Sequence, residues 1–190
     1  MHNSDSNVTL YNVIFSGNKA VADGGGIFNQ SSDPTLNNVT IAGNYAANRG
    51  GGVYDMGSSS TITNSILWGN LAVTAGHQLY DDGGAPMIIT FSDIQGSSVS
   101  GVGNIDVDPL FVTPVDPATA PTTTGDFHLQ RGSPAIDSGD NGVCLSIDLD
   151  GNNRPIDGDL DGSAMCDMGA YEKLIDLFLP LITRYGIKSP

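Results

Sequence analysis

The densest group of candidate ligands lies late in this 190-residue chain. Asp148-Leu149-Asp150-Gly151-Asn152 is followed by Asp157-Gly158-Asp159-Leu160-Asp161-Gly162. Oxygen donors at alternate positions, closed by a glycine, are what a calcium loop uses, because calcium gathers about six to eight oxygens around a sharp turn. The second run matches the opening of an EF-hand loop, but Met168 stands where a bidentate Glu belongs, and Asp167 beside it is the substitute. The candidate metal ligands are therefore Asp148, Asp150, Asn152, Asp157, Asp159, Asp161 and Asp167, and calcium is the candidate cofactor. The alternative is a solvated acidic turn stiffened by Pro155.

Other side chains point to ligand binding rather than catalysis. Phe28, Tyr54 and Tyr80 recur at one spacing, and an outward aromatic column suits the apolar faces of sugar rings. Asp55 and Asp81 recur beside them and give a carboxylate pair on one face; with Asn29 in the same column they read equally as a polar ladder. The aromatic column has its own alternative, in which it supports itself or is covered by another segment. A polysaccharide lyase or hydrolase needs a calcium site with a basic residue, or opposed carboxylates. The basic residues of the repeats, Lys19 and Arg49, do not align, and His77 and His128 have no recognisable partners. The glycine triplets do not fit a phosphate-binding loop. The formal charge of −14 argues against nucleic acid, which needs clustered Lys and Arg.

The elements that would position these residues follow from an internal repeat of 26 residues. Thr9-Leu10-Tyr11-Asn12-Val13-Ile14-Phe15-Ser16-Gly17-Asn18 superimposes on Thr35 to Asn44 and on Thr61 to Asn70. Later in each period come Gly24-Gly25-Gly26-Ile27-Phe28, Gly50-Gly51-Gly52-Val53-Tyr54 and Gly76-His77-Gln78-Leu79-Tyr80. A decayed fourth copy runs one residue late, with Ile89, Ser92 and Ile94 matching Ile62, Ser65 and Leu67. A unit this short buries its apolar face only by stacking on its neighbours. High glycine and abundant Asn, Ser, Thr and Asp disfavour helices, so each repeat is expected to be one coil of a parallel β-helix.

Alternation along strands sends Leu10, Val13, Phe15 and Ile27 inward, with Leu36, Val39, Ile41 and Val53, then Ile62, Ser65, Leu67 and Leu79. The alternation slips at Asn12, Asn38 and Asn64, which predicts bends in the left-handed conformation that Asn tolerates. Their amides are expected to stack as an interior ladder; exposed turn asparagines are the alternative. Asp23 and Arg49 should lie one above the other.

The repeats, with Phe15-Ser16-Gly17-Asn18 and glycine triplets before Ile27 or Val53, resemble the FxxN and GGA[ILV] repeats of the polymorphic outer membrane protein family. That resemblance covers roughly residues 7 to 80 and implies a surface β-helix or adhesin. The motif fades at Gly76-His77-Gln78.

Beyond the repeats the composition changes. Asp108-Pro109-Leu110-Phe111, Asp126-Phe127-His128-Leu129, Gly132-Ser133-Pro134-Ala135-Ile136-Asp137, Arg154-Pro155 and Cys166-Asp167-Met168-Gly169-Ala170-Tyr171-Glu172 follow in order. This set is similar to the C-terminal region of bacterial "choice-of-anchor" β-helix proteins, and the resemblance implies closure of the helix on an exported protein. Phe111, Leu129, Ile136 and Tyr171 are expected to cover the open apolar end of the last coil, whose unpaired edges invite aggregation. Cys144 and Cys166, an even count in an otherwise cysteine-free chain, fit one disulfide and an oxidising compartment; two unrelated thiols are the alternative.

Met1 to Asp5 has neither the basic start nor the apolar stretch of a signal peptide, so an export signal is expected outside this fragment. Leu174 to Arg184 is apolar but shorter than the roughly 20 residues of a membrane span, and Asp176 and Pro180 interrupt it. It resembles the short LPLI-type ends that follow such closing modules, and the resemblance implies a sorting or docking strand; a last strand packed on the helix is the alternative.

The fold expected is an all-β, right-handed parallel β-helix over residues 1–103, a turn-rich closing module over 104–173, and an apolar tail over 174–190. The function expected is a non-catalytic extracellular or cell-surface scaffold or adhesion module. The alternatives are a carbohydrate-binding β-helix and a fragment of a polysaccharide lyase or hydrolase. A polysaccharide or cell-surface partner and end-to-end self-association are the expected contacts.

Overall fold

A computed structural model describes residues 1–96 and 100–175. Most of the tail and residues 97–99 therefore lie outside the described residues.

Short strands recur as the repeat requires. After β1 (His2–Ser4), the first full coil holds β2 (Thr9–Tyr11), β3 (Ile14–Ser16), β4 (Lys19–Ala20) and β5 (Ile27–Gln30). The second holds β6 (Thr35–Asn37), β7 (Thr40–Ala42), β8 (Tyr45–Ala46) and β9 (Val53–Met56). The third holds β10 (Thr61–Thr63), β11 (Ile66–Trp68), β12 (Leu71–Ala72) and β13 (Leu79–Asp82), and the fourth begins with β14 (Ile88–Thr90) and β15 (Asp93–Ile94). Equivalent strands pair in parallel and form four sheets in the order the chain visits them. Sheet I is β2-β6-β10-β14, sheet II β3-β7-β11-β15, sheet III β4-β8-β12 and sheet IV β1-β5-β9-β13. The protein is a parallel β-solenoid of about 26 residues per turn. Its fourth coil runs one residue late: Ile62 faces Ile89 and Leu67 faces Ile94.

The core sits where alternation puts it. Ile27, Leu36, Val39, Ile41, Val53, Ile62, Leu67, Ile89 and Ile94 form one buried cluster, with Leu10, Val13, Phe15 and Leu79 packed against it. Ser65 is also fully buried and donates to Thr63 O. Glycine is required where coils come closest: a Cβ on Gly52 would stand 2.4 Å from Gln78 O.

Asn12, Asn38 and Asn64 occupy left-handed bends with φ of 49°, 54° and 49°. Their amides do not form the interior ladder. That ladder is built by the Asn that follows the Gly17, Gly43 and Gly69 turns: Asn18 donates to Asn44 at 2.8 Å, Asn44 to Asn70 at 2.9 Å, and Asn70 to Gln78 at 2.6 Å. Gln78 stands where earlier coils have Gly26 and Gly52, and its side chain carries the amide column on to Gln95 at 3.1 Å. The loss of the third glycine at Gly76-His77-Gln78 thus supplies a link of the amide column as well as marking a fading of the motif.

The second part of the chain does not lie across the end of the last coil as a cap. The segment around Val102–Ile105 does that locally: Phe91 N–H donates to Val102 O, and Ile94 and Ile105 exchange bonds with Ile105 O and Ser92 O. The module then runs back along the outer face of sheet II. Phe111, Val115, Phe127, Leu129, Ala135, Ile136 and Met168 form a second core with Ala42 and Ile66, flanked by Ile14, Trp68 and Tyr171. The physical reason is that sheet II carries apolar residues on its outside as well as its inside, so both faces must be covered. An antiparallel pair, β16 (Phe111–Thr113) and β17 (Asp126–Leu129), forms part of the module.

Candidate functional site

The three bend asparagines fix the module to the solenoid. Asn12 Nδ2 donates to Ile147 O at 2.8 Å, and Asn38 Nδ2 to Asp167 O at 3.1 Å. Asn64 donates to Asp140 O and accepts from Asp140 N–H at 2.7 Å. A left-handed residue at a bend turns its side chain away from the core, and here each meets a backbone group of the module. Cys144 and Cys166 are joined by a disulfide, with Cα atoms 5.9 Å apart.

Arg154 and Glu172 form a fully buried ion pair at 3.4 Å inside this module. Arg154 also donates to Asp167 O and Gly169 O, and Glu172 accepts from Ile156 and Asp167 N–H. Burial lowers the pKa of Arg154 and raises that of Glu172, while their mutual attraction opposes both shifts. These charged positions in the Arg154-Pro155 and Cys166-to-Glu172 motifs therefore organise turns. The motifs were visible in the sequence, but the pairing between them was not.

The seven candidate metal ligands fall in four places. Asp148 accepts from Asn152 and from Glu172 N–H, and burial, which would raise its pKa, is outweighed by these bonds. Asp150 bonds His128 Nε2 at 2.9 Å. Asp167 is fully buried and accepts from Asp137 and Lys173 N–H; burial and neighbouring Glu172 push it up to about 8. Asp157 and Asp159 come together with Asp137, their nearest carboxylate oxygens all within 4.8 Å, while Asp161 and Gly162 N–H turn onto Asp157. Local spacing gives no sign of Asp137 in this cluster, because it lies twenty residues upstream of Asp157, in the Ser133-Pro134-Ala135-Ile136-Asp137 run.

Phe28, Tyr54 and Tyr80 form the expected column. Phe28 and Tyr54 stack at 5.1 Å, and Tyr54 and Tyr80 at 5.6 Å with planes 4° apart. Arg49 lies over both tyrosines, pairs with Asp23 at 3.5 Å, and reaches Asp82, which accepts from the Tyr54 hydroxyl at 2.6 Å. Tyr54 is left only 2 % exposed, and burial with the bond to Asp82 pushes its hydroxyl up to about 12. Asp55 and Asp81 are paired in register, but Asp55 points inward, fully buried, and accepts from Asn29, Ser60 N–H and Ser60 Oγ. Asp81 is exposed.

His128 is not isolated. It stacks on Tyr171 at 3.8 Å between Asp126 at 2.5 Å and Asp150 at 2.9 Å. Burial lowers its pKa, but the two carboxylates outweigh burial and raise it overall. The alternation of Asp126 and His128 along one strand was the only sequence signal for part of this cluster. His77 Nδ1 accepts from Ala72 N–H at 3.1 Å, a turn-holding role.

No family model, curated protein or solved structure matches this chain. Among the described residues, no helix is long and apolar enough to cross a membrane.

Proposed function

We propose that this chain is a non-catalytic extracellular or cell-surface β-solenoid that acts as a scaffold or adhesion module. The observation that carries the reading is the clamp along the coils: one module, held by a disulfide, engages a bend in each of three successive turns through Asn12, Asn38 and Asn64. Such bracing suits a rigid presenting surface, and a disulfide suits an oxidising compartment. The charged side chains with chemical potential are largely committed to holding backbone, as at Asp55, Asp137, Asp148, Asp167 and Glu172.

The experiment pairs two measurements on the purified chain. Surfaces coated with it should retain cells or matrix above an albumin-coated control. A panel of polysaccharides should yield neither new reducing ends nor unsaturated products. Turnover that copurifies with the chain would overturn the reading in favour of a lyase or hydrolase.

We also propose calcium at Asp137, Asp157 and Asp159, supported by three carboxylates converging where backbone N–H groups already orient them. Calcium would tie the Asp157–Gly162 turn to Asp137 and stiffen the module.

A further inference from the structure

The outer face of sheet I forms the floor of a groove of about 390 Å³, and this groove is separate from the aromatic column on sheet IV. Its floor is hydroxyl-bearing. Thr35 and Thr61 are register partners on neighbouring strands, and Thr63 follows on the same face. Tyr11 stands at one edge with 53 % of its surface exposed. The opposite wall is Val143 and Leu145, from the loop around Cys144. That wall is fixed twice: Cys144 is bonded to Cys166, and Val143 O accepts from Asn37 Nδ2 at 2.6 Å. A rigid sheet and a covalently held loop make the groove preformed.

Asn37 is the telling residue. It is paired in register with Tyr11 and Thr63, and its side chain faces outward because Leu36 beside it faces the core. It is 7 % exposed, and its Oδ1 has no hydrogen-bond partner. A buried acceptor left without a donor costs roughly 1–3 kcal/mol; Oδ1 is itself covered, so a ligand hydroxyl would supply that donor as the amide edge opens toward the groove. None of the residues lining the groove is charged, on a chain of net charge −14.

We propose that this groove binds a neutral glycan. An aromatic edge, a threonine floor and one unsatisfied amide oxygen offer stacking and hydrogen bonds but no charge, which fits uncharged sugar rings better than uronates or a charged peptide. The volume lies in the range of ligand sites, roughly 300–1,000 Å³ with a few placed polar groups. The inference rests on the adhesion reading and names its partner class.

The test is titration calorimetry of the full chain against neutral hexasaccharides (cellohexaose, maltohexaose and a mannohexaose), with an oligogalacturonate as the anionic comparator. At least one neutral sugar should bind and the anionic one should not. Tyr11→Ala, at an exposed position, should weaken binding about tenfold, equivalent to ~1.4 kcal/mol, without changing the melting temperature. Thr63→Val should weaken it less. The Cys144→Ala/Cys166→Ala double variant, if still folded by circular dichroism, should also lose affinity because the wall is released.

Absence of binding to every neutral sugar overturns the proposal, as does binding untouched by Tyr11→Ala. An extended peptide bound in its place would assign the groove to a protein partner instead. Cell retention that survives Tyr11→Ala, with no glycan bound, would sink the groove and leave the adhesion reading standing.

Discussion

Asn38 and Arg154 donate to the same two carbonyl oxygens. Asn38 Nδ2 lies 3.1 Å from Asp167 O and 3.4 Å from Gly169 O; the Arg154 guanidinium lies 3.1 Å and 2.9 Å from them. One donor comes from a bend of the solenoid and the other from the module, so the backbone at 167–169 is held from both sides. Asn38→Gly keeps the left-handed bend and removes the buried side chain with its amide donor, and should cost about 1–3 kcal/mol. Asn38→Ala adds backbone strain of about 1–2 kcal/mol and should cost more. Urea titration checks both, and equal stability of the glycine variant and the wild type would show that the shared carbonyls do not matter.

The Arg154–Glu172 pair predicts an asymmetric response. Glu172→Gln leaves the guanidinium buried beside a neutral amide and should destabilise by about 3–5 kcal/mol. Arg154→Met with Glu172→Gln removes both charges and should recover part of that loss. Chemical denaturation of Glu172→Gln, Arg154→Met and the double variant measures the difference, and additive costs would refute coupling between the two side chains.

Stability should fall as pH rises from about 4 to about 8. Burial in the last coil pushes Asp93 up to about 7, with Asp106 and Asp108 acting in the same direction, and Asp167 reaches about 8. Both keep a proton when folded that the unfolded chain releases near pH 4, so their contribution is complete below that pH and is lost on the way up. His128, also raised, adds in the same sense above about pH 6.5. Asp126 and Asp148 are held low and act oppositely, losing stability as pH falls below about 4. Melting curves should therefore peak at mildly acidic pH. Asp93→Asn, at a position where Asp93 Oδ2 has no partner, should flatten the decline; an unchanged slope would remove Asp93 from the explanation.

Calcium added in hundredfold excess over its dissociation constant should stabilise the fold by about 2.7 kcal/mol, reversed by a chelator. Asp157→Asn with Asp159→Asn should abolish the effect, whereas Asp150→Asn should not, since Asp150 faces His128. No heat and no shift in melting on adding calcium would end the proposal.

Gly52→Ala should cost more than Gly57→Ala, although Gly57 has the positive φ. A Cβ at Gly52 meets Gln78 O at 2.4 Å, whereas at Gly57 it meets nothing within 4 Å. The first forces two coils apart, at about 1–3 kcal/mol or more; the second adds only backbone strain of about 1–2 kcal/mol. Thermal denaturation of the two variants ranks them.

Much of the site was less legible than the fold. The aromatic column could be read from spacing, but not its covering by Arg49, because that cation belongs to a turn rather than to the strands. Asp55 looked like a surface carboxylate until its place on the inward side of β9 and its bonds to Ser60 were known. Local alternation singled out Asp157 and Asp159 as neighbouring carboxylates, whereas Asp137 stands beside them only after the module folds back.

The sequence by itself determined the stack: the 26-residue period, the inward sets from Leu10 to Leu79, and the left-handed bends at Asn12, Asn38 and Asn64. Each is written locally or at a fixed interval, because parallel register between coils repeats one spacing. Only the tertiary structure decided what those asparagines hold and which face the module covers. Asn38 and Asp167 are 129 residues apart, and a contact made once has no period to announce it. The closing segment braces the flank of the solenoid because sheet II is apolar on its outer face too, and covering Ile66 and Ala42 buries surface that the first core cannot reach.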